Sequence, residues 1–348
     1  MTTSDKTDKT ETDAEDEGAV WPQRTLRQYA GITLRGIAMG SSDIVPGVSG
    51  GTMAFILGIY EELINSIRTF GRPNFIRAAL HFQIREIFRL VNWKFLLALG
   101  LGIFIAVITL AGILESLLIN QPVFVWSFFF GLVLASVFVV SKRIKKWTPL
   151  LGLALVIGAV AAFSLVGIVP LQTPTSWWFL MLSGALASTA LILPGISGAF
   201  ILVLLGKYQF VLGIVNDLRA GDISGFVPLF FIGLGAVLGL ITISQLLSWL
   251  FRHHHDYTVA VLIGFMLGSL RKIWPWKQDV EWLLNELGEK IVNSDGQFVV
   301  IKQWNVLPDL STQAGVTEFV IAVVLVLLGI AAILAVDKLG GGVLEKSG

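Results

Sequence analysis

Hydrophobic positions in this 348-residue chain fall in long continuous runs, unlike the alternating or one-face patterns of soluble strands and helices. Uninterrupted runs lie near 95–118, 123–140, 149–169, 227–251 and 319–336, with a shorter one at 258–270. About 20 apolar residues in helical form cross a hydrocarbon core of about 30 Å, so each long run predicts a transmembrane helix. Two further apolar regions, about 30–67 and 177–215, are each broken in the middle by Pro-Gly-x-Ser-Gly. Proline removes a backbone donor and glycine weakens a helix, so both positions predict unwinding. Backbone freed at membrane depth must be buried in protein or line a wet cavity. A re-entrant hairpin and a broken pair of full spans both meet that condition, and both return the chain to the side it came from.

The two broken regions resemble each other. SDIVPGVSGGTMAFILGIYEE, from Ser42, lies over ALILPGISGAFILVLLGKYQF, from Ala190, at an offset of 148 positions (Pro194 against Pro46). Pro46, Gly47, Ser49, Gly50, Gly58 and Tyr60 match Pro194, Gly195, Ser197, Gly198, Gly206 and Tyr208. LGLGIFIAVIT from Leu99 then resembles IGLGAVLGLIT from Ile232, and GLVLAS from Gly131 resembles GFMLGS from Gly264, both at an offset of 133. The chain therefore reads as two membrane repeats, 24–170 and 177–337, each a Pro/Gly-broken, re-entrant helix hairpin followed by three transmembrane helices. Because three is odd, the second copy enters from the opposite side. The expected fold is an all-α polytopic membrane protein of two inverted-topology repeats, an architecture of secondary transporters.

Composition agrees with the pattern: 55% of residues are hydrophobic and 14% charged. The net charge of +1 says little, but the placement of Lys and Arg is informative. Arg24, Arg27 and Arg35 precede the first broken region; Arg68, Arg72, Arg77, Arg85, Arg89 and Lys94 follow it; Lys142, Arg143, Lys145 and Lys146 follow the run at 123–140. The positive-inside rule places these loops, and with them both termini, in the cytoplasm of a multi-pass protein of the cytoplasmic (inner) membrane. The opposite loops at 120–122 and 170–176 are uncharged, and 271–318 has more acids than bases. Residues 1–23 read as a disordered acidic tail without the apolar stretch of a signal peptide, and 338–348 as a second cytoplasmic tail. Apolar positions at helical spacing among Arg77, Arg85 and Arg89 predict an amphipathic cytoplasmic helix over 74–91, lying on an anionic leaflet or in an ordinary loop. Trp274, Trp276, Trp282 and Trp304 make the long extracytoplasmic loop 271–318 read as an interfacial lid. The absence of cysteine excludes disulfides and thiolate chemistry, and nothing points to nucleic acid.

A helix that restarts after Gly-x-Ser-Gly aims unsatisfied N–H groups and its positive end at the gap, an arrangement suited to an anion and best to a phosphate. The expected phosphate-binding set is Arg35, Gly47, Ser49, Gly50, Gly51, Thr52, Gly195, Ser197 and Gly198. Gly58, Gly100, Gly102, Gly206, Gly233 and Gly235 read instead as close-packing positions between helices. Ionisable residues inside membrane segments are site candidates by default, so Asp43, Glu61 and Glu62 are candidates for coupling. For Arg35, Glu61 and Glu62 the alternative is snorkelling at the interface. Asp43 has no acidic counterpart, since Leu191 stands at the matching position; a helix cap is its alternative role. His253, His254 and His255 read as a solvated turn, not a metal site. No nucleophile–base pair or nucleotide loop is present, so no catalytic residue, cofactor or enzymatic activity is expected.

SSDIVPGVSGGTMAFILGIYEELI and LILPGISGAFILVLLGKY resemble the signatures of the bacterial and archaeal polyprenyl-phosphate (undecaprenyl-phosphate) transporter family, and the likeness spans roughly 35–270. The resemblance implies a flippase that returns undecaprenyl phosphate from the outer to the inner leaflet, recycling the lipid carrier of cell-wall and surface-polysaccharide synthesis. A proton gradient could bias the direction. The implied partners are the lipid and the bilayer; a homo-oligomer stays open. Two other readings stay open as well: a secondary transporter of a small soluble anion, and a membrane prenyl-pyrophosphate phosphatase.

Overall fold

A computed structural model describes residues 21–45, 48–168, 173–219, 221–282, 290, 298 and 300–344. Of the sequence expectations, the tail at 1–20, Pro46 and Gly47 of the first break, and the end of the second tail at 345–348 lie outside the described residues, as do 169–172 and parts of the 271–318 loop.

The first broken region forms α1 (Leu26–Ile44), α2 (Gly50–Ile56) and α3 (Tyr60–Arg68). Thr25 starts α1 with a capping box, its side chain accepting from the Gln28 N–H while the Gln28 side chain accepts from the Thr25 N–H. The Arg-rich segment folds as two short helices, α4 (Pro73–Leu80) and α5 (Ile84–Leu90), rather than one over 74–91; Phe82, at φ 52°, turns the chain between them. Then come α6 (Trp93–Asn120), α7 (Pro122–Ser141) and α8 (Pro149–Val166). Proline at the first position of α7 and of α8 starts each helix where its missing N–H removes nothing.

The second broken region repeats the layout as α9 (Trp177–Ile192), α10 (Gly198–Leu204) and α11 (Tyr208–Arg219), followed by α12 (Phe226–His253) and α13 (His255–Ser269). An antiparallel hairpin of β1 (Lys277–Trp282) and β2 (Val300–Asn305) comes next, with Lys277 opposite Asn305 and Trp282 opposite Val300. It is the one departure from helix among the described elements, and lies in the segment expected as a lid. The last helix, α14 (Gln313–Leu344), runs on through the first residues of the expected second tail. Helices α6, α7, α8, α12 and α14 are long and apolar enough to cross a membrane, the fold of a polytopic membrane protein. The shorter α13 is largely buried and packs along α8.

Four long helix pairs make the frame: α1 with α6, α9 with α12, α8 with α13, and α7 with α14. Glycines carry the close approaches, and they do so at matching positions of the two sequence copies. A Cβ added at Gly36 would collide with the Leu99 carbonyl, and one at Gly184 with the Ile232 carbonyl. Likewise Gly102 faces the Thr33 carbonyl and Gly235 the Met181 carbonyl. Between the other pairs, Gly131 faces Val326 and Gly264 faces Leu155, while Gly329 faces Phe128 and Gly158 faces Val261. Gly329 stands 171 positions after Gly158, so the offset between copies rises from 133 to 171 across the segment that holds the hairpin.

Two expectations about glycine change. Gly100 and Gly233 have nothing within 4 Å of an added Cβ, so they pack against no neighbour. Gly58 and Gly206 have φ of 71° and 62° and turn the chain into α3 and α11; left-handed backbone, not helix packing, is what requires glycine there.

Candidate functional site

The two breaks meet inside the molecule. Ser49 caps α2: its Oγ accepts from the Gly51 N–H at 3.1 Å and shares its proton between the carbonyls of Leu191 at 3.2 Å and Leu193 at 3.4 Å. Gly50 N–H donates to Asp43 Oδ1 at 2.6 Å, so the acid at the end of α1 also caps α2. Gly195, at φ 87°, donates its N–H to Thr52 Oγ1 at 2.8 Å. A Cβ at Gly51 would collide with the Ile192 carbonyl, which is why the start of α2 can seat against the end of α9. The Gly50 and Gly51 N–H groups and the Ser49 hydroxyl, expected to wait for a phosphate at the first break, are thus occupied by protein acceptors, as a buried N–H requires. Ser49 is 0% exposed.

The second break differs. Ser197 precedes α10 but makes no side-chain cap, and its hydroxyl has no hydrogen-bond partner among the described residues. It is 9% exposed and lines a cavity of about 360 Å³. The end of α1 (Asp43, Ile44), the end of α8, α10, Tyr208, the segment after α13 and strand β2 complete the wall. Gly198, beside Ser197, lets α10 start against α9; a Cβ there would lie 2.6 Å from the Ala187 carbonyl.

Four cations line the same cavity: Arg271, Lys272, Lys277 and Lys302. Lys302 is paired with Glu281 at 2.7 Å. Arg271 lies over the Phe163 ring, 4.3 Å from its centroid, and donates to the Phe163 carbonyl at 3.2 Å. The side-chain ammonium groups of Lys272 and Lys277 have neither a hydrogen bond nor an ion pair among the described residues. The Lys277 ammonium lies 3.7 Å from the centroid of the Trp126 ring on α7, and that of Lys272 lies 5.2 Å from the Phe200 ring on α10. Burial lowers the pKa of Lys272; it sets that of Lys277 well below the ordinary lysine range, where the charge of Lys272 lowers it further and Asp279 opposes. Sequence reasoning did not single out either lysine. Their one signal was cationic character in a segment with an acidic balance.

The remaining sequence candidates lie elsewhere. Arg35 stands eight residues before Asp43, about 12 Å along the helix, and feels Arg24 and Glu62. Glu62 takes both Arg24 guanidinium nitrogens, at 2.6 and 2.8 Å, and the Asn92 amide at 2.9 Å. Glu61 is exposed, with His255 Nε2 at 3.9 Å, and Asp256 lies 3.1 Å from the other ring nitrogen. None of Arg35, Glu61 and Glu62 lines the cavity. Lys207, which the second copy places in its broken region, is buried and donates to the Thr173 carbonyl at 2.5 Å. Among the described residues no His, Asp or Glu cluster could hold a metal ion.

Such an arrangement can hold an anion between a free hydroxyl and two uncompensated ammonium groups, beside a carboxylate already held by a backbone N–H. Comparison with known proteins agrees in kind. A family model described as undecaprenyl phosphate translocase-like matches residues 39–291. A polyprenyl-phosphate transporter of Vibrio cholerae serotype O1 is 40% identical over 316 residues, covering 89% of this chain and 96% of that protein. A polyprenyl-phosphate transporter of Staphylococcus aureus is 30% identical over 263 residues, covering 72% of this chain and 88% of its own. No solved structure matches the chain. With the paired breaks, the cavity between them and these matches in view, the chain belongs to the undecaprenyl phosphate translocase-like family.

Proposed function

We propose that this protein carries polyprenyl phosphate across the cytoplasmic membrane, outer to inner leaflet, returning the lipid carrier for reuse in cell-wall and surface-polysaccharide synthesis. The observation that carries the reading is the inequality of two matched serines: Ser197 opens to a cavity while Ser49 is sealed. A phosphate headgroup cannot cross hydrocarbon cheaply, whereas its prenyl tail is at home there. A carrier therefore has to expose one polar site to each leaflet in turn.

Two inverted repeats, 24–170 and 177–337, supply that exchange, with the 1–23 and 338–348 tails in the cytoplasm. Equivalent glycine contacts in the two copies support the repeat. Helices α2 and α10 have seven residues each, about 10 Å, and fold back on α1 and α9, which supports re-entrant hairpins over full spans. On the positive-inside orientation the cavity lies on the outer side, so the conformation is outward-open. In the opposite state the roles reverse: Ser49, Gly50, Gly51 and Thr52, with Gly47, take the headgroup, and Arg35 meets it on the cytoplasmic approach. Ser197 takes it in the state described here, with Gly198 setting the start of α10 beside it, and Gly195 joins once its N–H leaves Thr52. Asp43, at the cavity wall and bonded to Gly50, takes up the proton that couples transport to the gradient.

Reconstituted proteoliposomes carrying a fluorescent polyprenyl phosphate test the assignment. Ser49→Ala with Ser197→Ala is expected to abolish headgroup movement while the protein stays folded. Unchanged movement would remove the breaks from the mechanism, and transport of a soluble phosphate with no lipid movement would favour the small-anion reading.

A further inference from the structure

The cavity has a chemical feature that the paired breaks do not supply. Lys272 and Lys277 are the cations of its lining whose ammonium groups make no hydrogen bond or ion pair among the described residues, whereas Lys302 is held by Glu281 and Arg271 by the Phe163 carbonyl; Asp279 acts on Lys277 from beyond ion-pair distance. Two like charges near each other in a half-buried wall repel, and burial adds to the penalty. Aromatic faces hold them in place without neutralising them: Trp126 lies under Lys277, and Phe200 is near Lys272. An ammonium on a ring face still has N–H donors directed elsewhere. The Tyr208 and Ser197 hydroxyls line the same space.

We propose that Lys272 and Lys277 form a phosphate-monoester port that captures the headgroup on the hairpin side, before it reaches Ser197. The proposal rests on the reading of the chain as a polyprenyl-phosphate carrier and adds residues that neither repeat motif contains. The offset between copies jumps from 133 to 171 across the segment that carries Lys277, so β1 belongs to what only the second copy has. The port is therefore one-sided. A dianionic headgroup is attracted to this face by two ammonium groups outside any ion pair; Asp43 is the one acid of the lining among the described residues, and the Gly50 N–H already holds it.

The test uses full-length protein in nanodiscs, with binding of undecaprenyl phosphate measured for the wild type, for Lys272→Gln/Lys277→Gln, and for Lys302→Gln, whose charge is already paired. The double variant is expected to lose on the order of a hundredfold in affinity, about tenfold per lysine, while unfolding at a temperature no lower than that of the wild type. Lys302→Gln is expected to bind like the wild type. Lipid binding by the double variant within about threefold of wild type overturns the port. If the wild type itself fails to bind the lipid, the carrier reading fails, and inorganic phosphate becomes the deciding probe. Binding of that ion by the wild type and not by the double variant keeps the port as a free-phosphate site; binding by both, or by neither, overturns it.

Discussion

The Gly195 N–H donates to Thr52 Oγ1 at 2.8 Å, so a residue of the second break is bonded to the helix that follows the first. Ser49, donating to the Leu191 and Leu193 carbonyls, ties the same two regions from the other direction. Movement that opens the first break must release both contacts together. Thr52→Val keeps the shape and removes the acceptor, leaving a buried N–H unsatisfied at about 1–3 kcal/mol. The expected outcome is a lower midpoint of thermal unfolding together with faster labelling of a cysteine placed at Ser49. An unchanged labelling rate would mean that this bond does not hold the first break shut.

Accessibility itself is measurable because the chain has no cysteine. Ser197→Cys is expected to react with a membrane-impermeant maleimide added from the hairpin side, whereas Ser49→Cys in the same conformation is not. Equal reactivity of the two would contradict the inequality on which the outward-open assignment rests.

Two glycines of α6, on either side of Leu101, separate packing from composition. At Gly102 an added side chain meets the Thr33 carbonyl and the Gly36 Cα, both backbone; at Gly100 it meets open space. Gly102→Ala is expected to destabilise by about 1–3 kcal/mol or more, because backbone cannot step aside. Gly100→Ala is expected to leave the unfolding midpoint unchanged or raise it. A calorimetric comparison of the two variants checks both.

Much of this architecture was legible in the sequence, for a physical reason. Runs that must cross hydrocarbon have to be long and apolar, so α6, α7, α8, α12 and α14 lie within a few residues of their expected limits, apart from α14, which continues to Leu344. The breaks were legible because proline and glycine act on their own backbone. What escaped depends on distant partners. Ser49 and Ser197 sit in the same motif, and only the contact of Ser49 with residues 142 and 144 positions away makes one sealed. Glu62 stood out as an intramembrane acid, yet Arg24 and Asn92 enclose it as a tie between the start of α1, α3 and the residue that precedes α6. The division of 74–91 into two helices turns on Phe82, a residue type that carries no signal for a left-handed conformation. Lys272 and Lys277 gain their surroundings from Trp126 and Phe200, each far off in the chain.

The two acids Asp43 and Glu62 are therefore expected to behave differently. Asn at position 43 can still accept from the Gly50 N–H but cannot titrate, so Asp43→Asn should keep the fold and flatten the dependence of transport on the proton gradient. Glu62→Gln weakens a bidentate pair with Arg24 and should lower stability by about 1–3 kcal/mol while the gradient dependence survives. Transport assays at matched protein levels, with and without an imposed gradient, distinguish the two. Loss of coupling in Glu62→Gln alone would exchange their roles.

The low pKa of Lys277 makes a prediction with a definite sign. Burial comes first among its causes and the charge of Lys272 second. A lysine lowered in the folded state binds fewer protons there than in the unfolded chain, so it destabilises the fold at low pH. That penalty is full below the folded pKa, and it disappears as pH rises toward the unfolded value of about 10.4. Lys277→Gln should accordingly unfold at a higher temperature than the wild type near neutral pH, and the gap should close as the buffer becomes alkaline. Headgroup binding should follow the opposite course, failing in the wild type as Lys277 loses its proton at a pH below that of an ordinary lysine. Lys277→Arg keeps its charge throughout the accessible range and can stack on Trp126, so its alkaline limb should vanish. Thermal scans and lipid-binding curves over the same pH series measure both trends. A wild type whose binding holds to the pH of an ordinary lysine would show that Lys277 is not the titrating group that meets the phosphate.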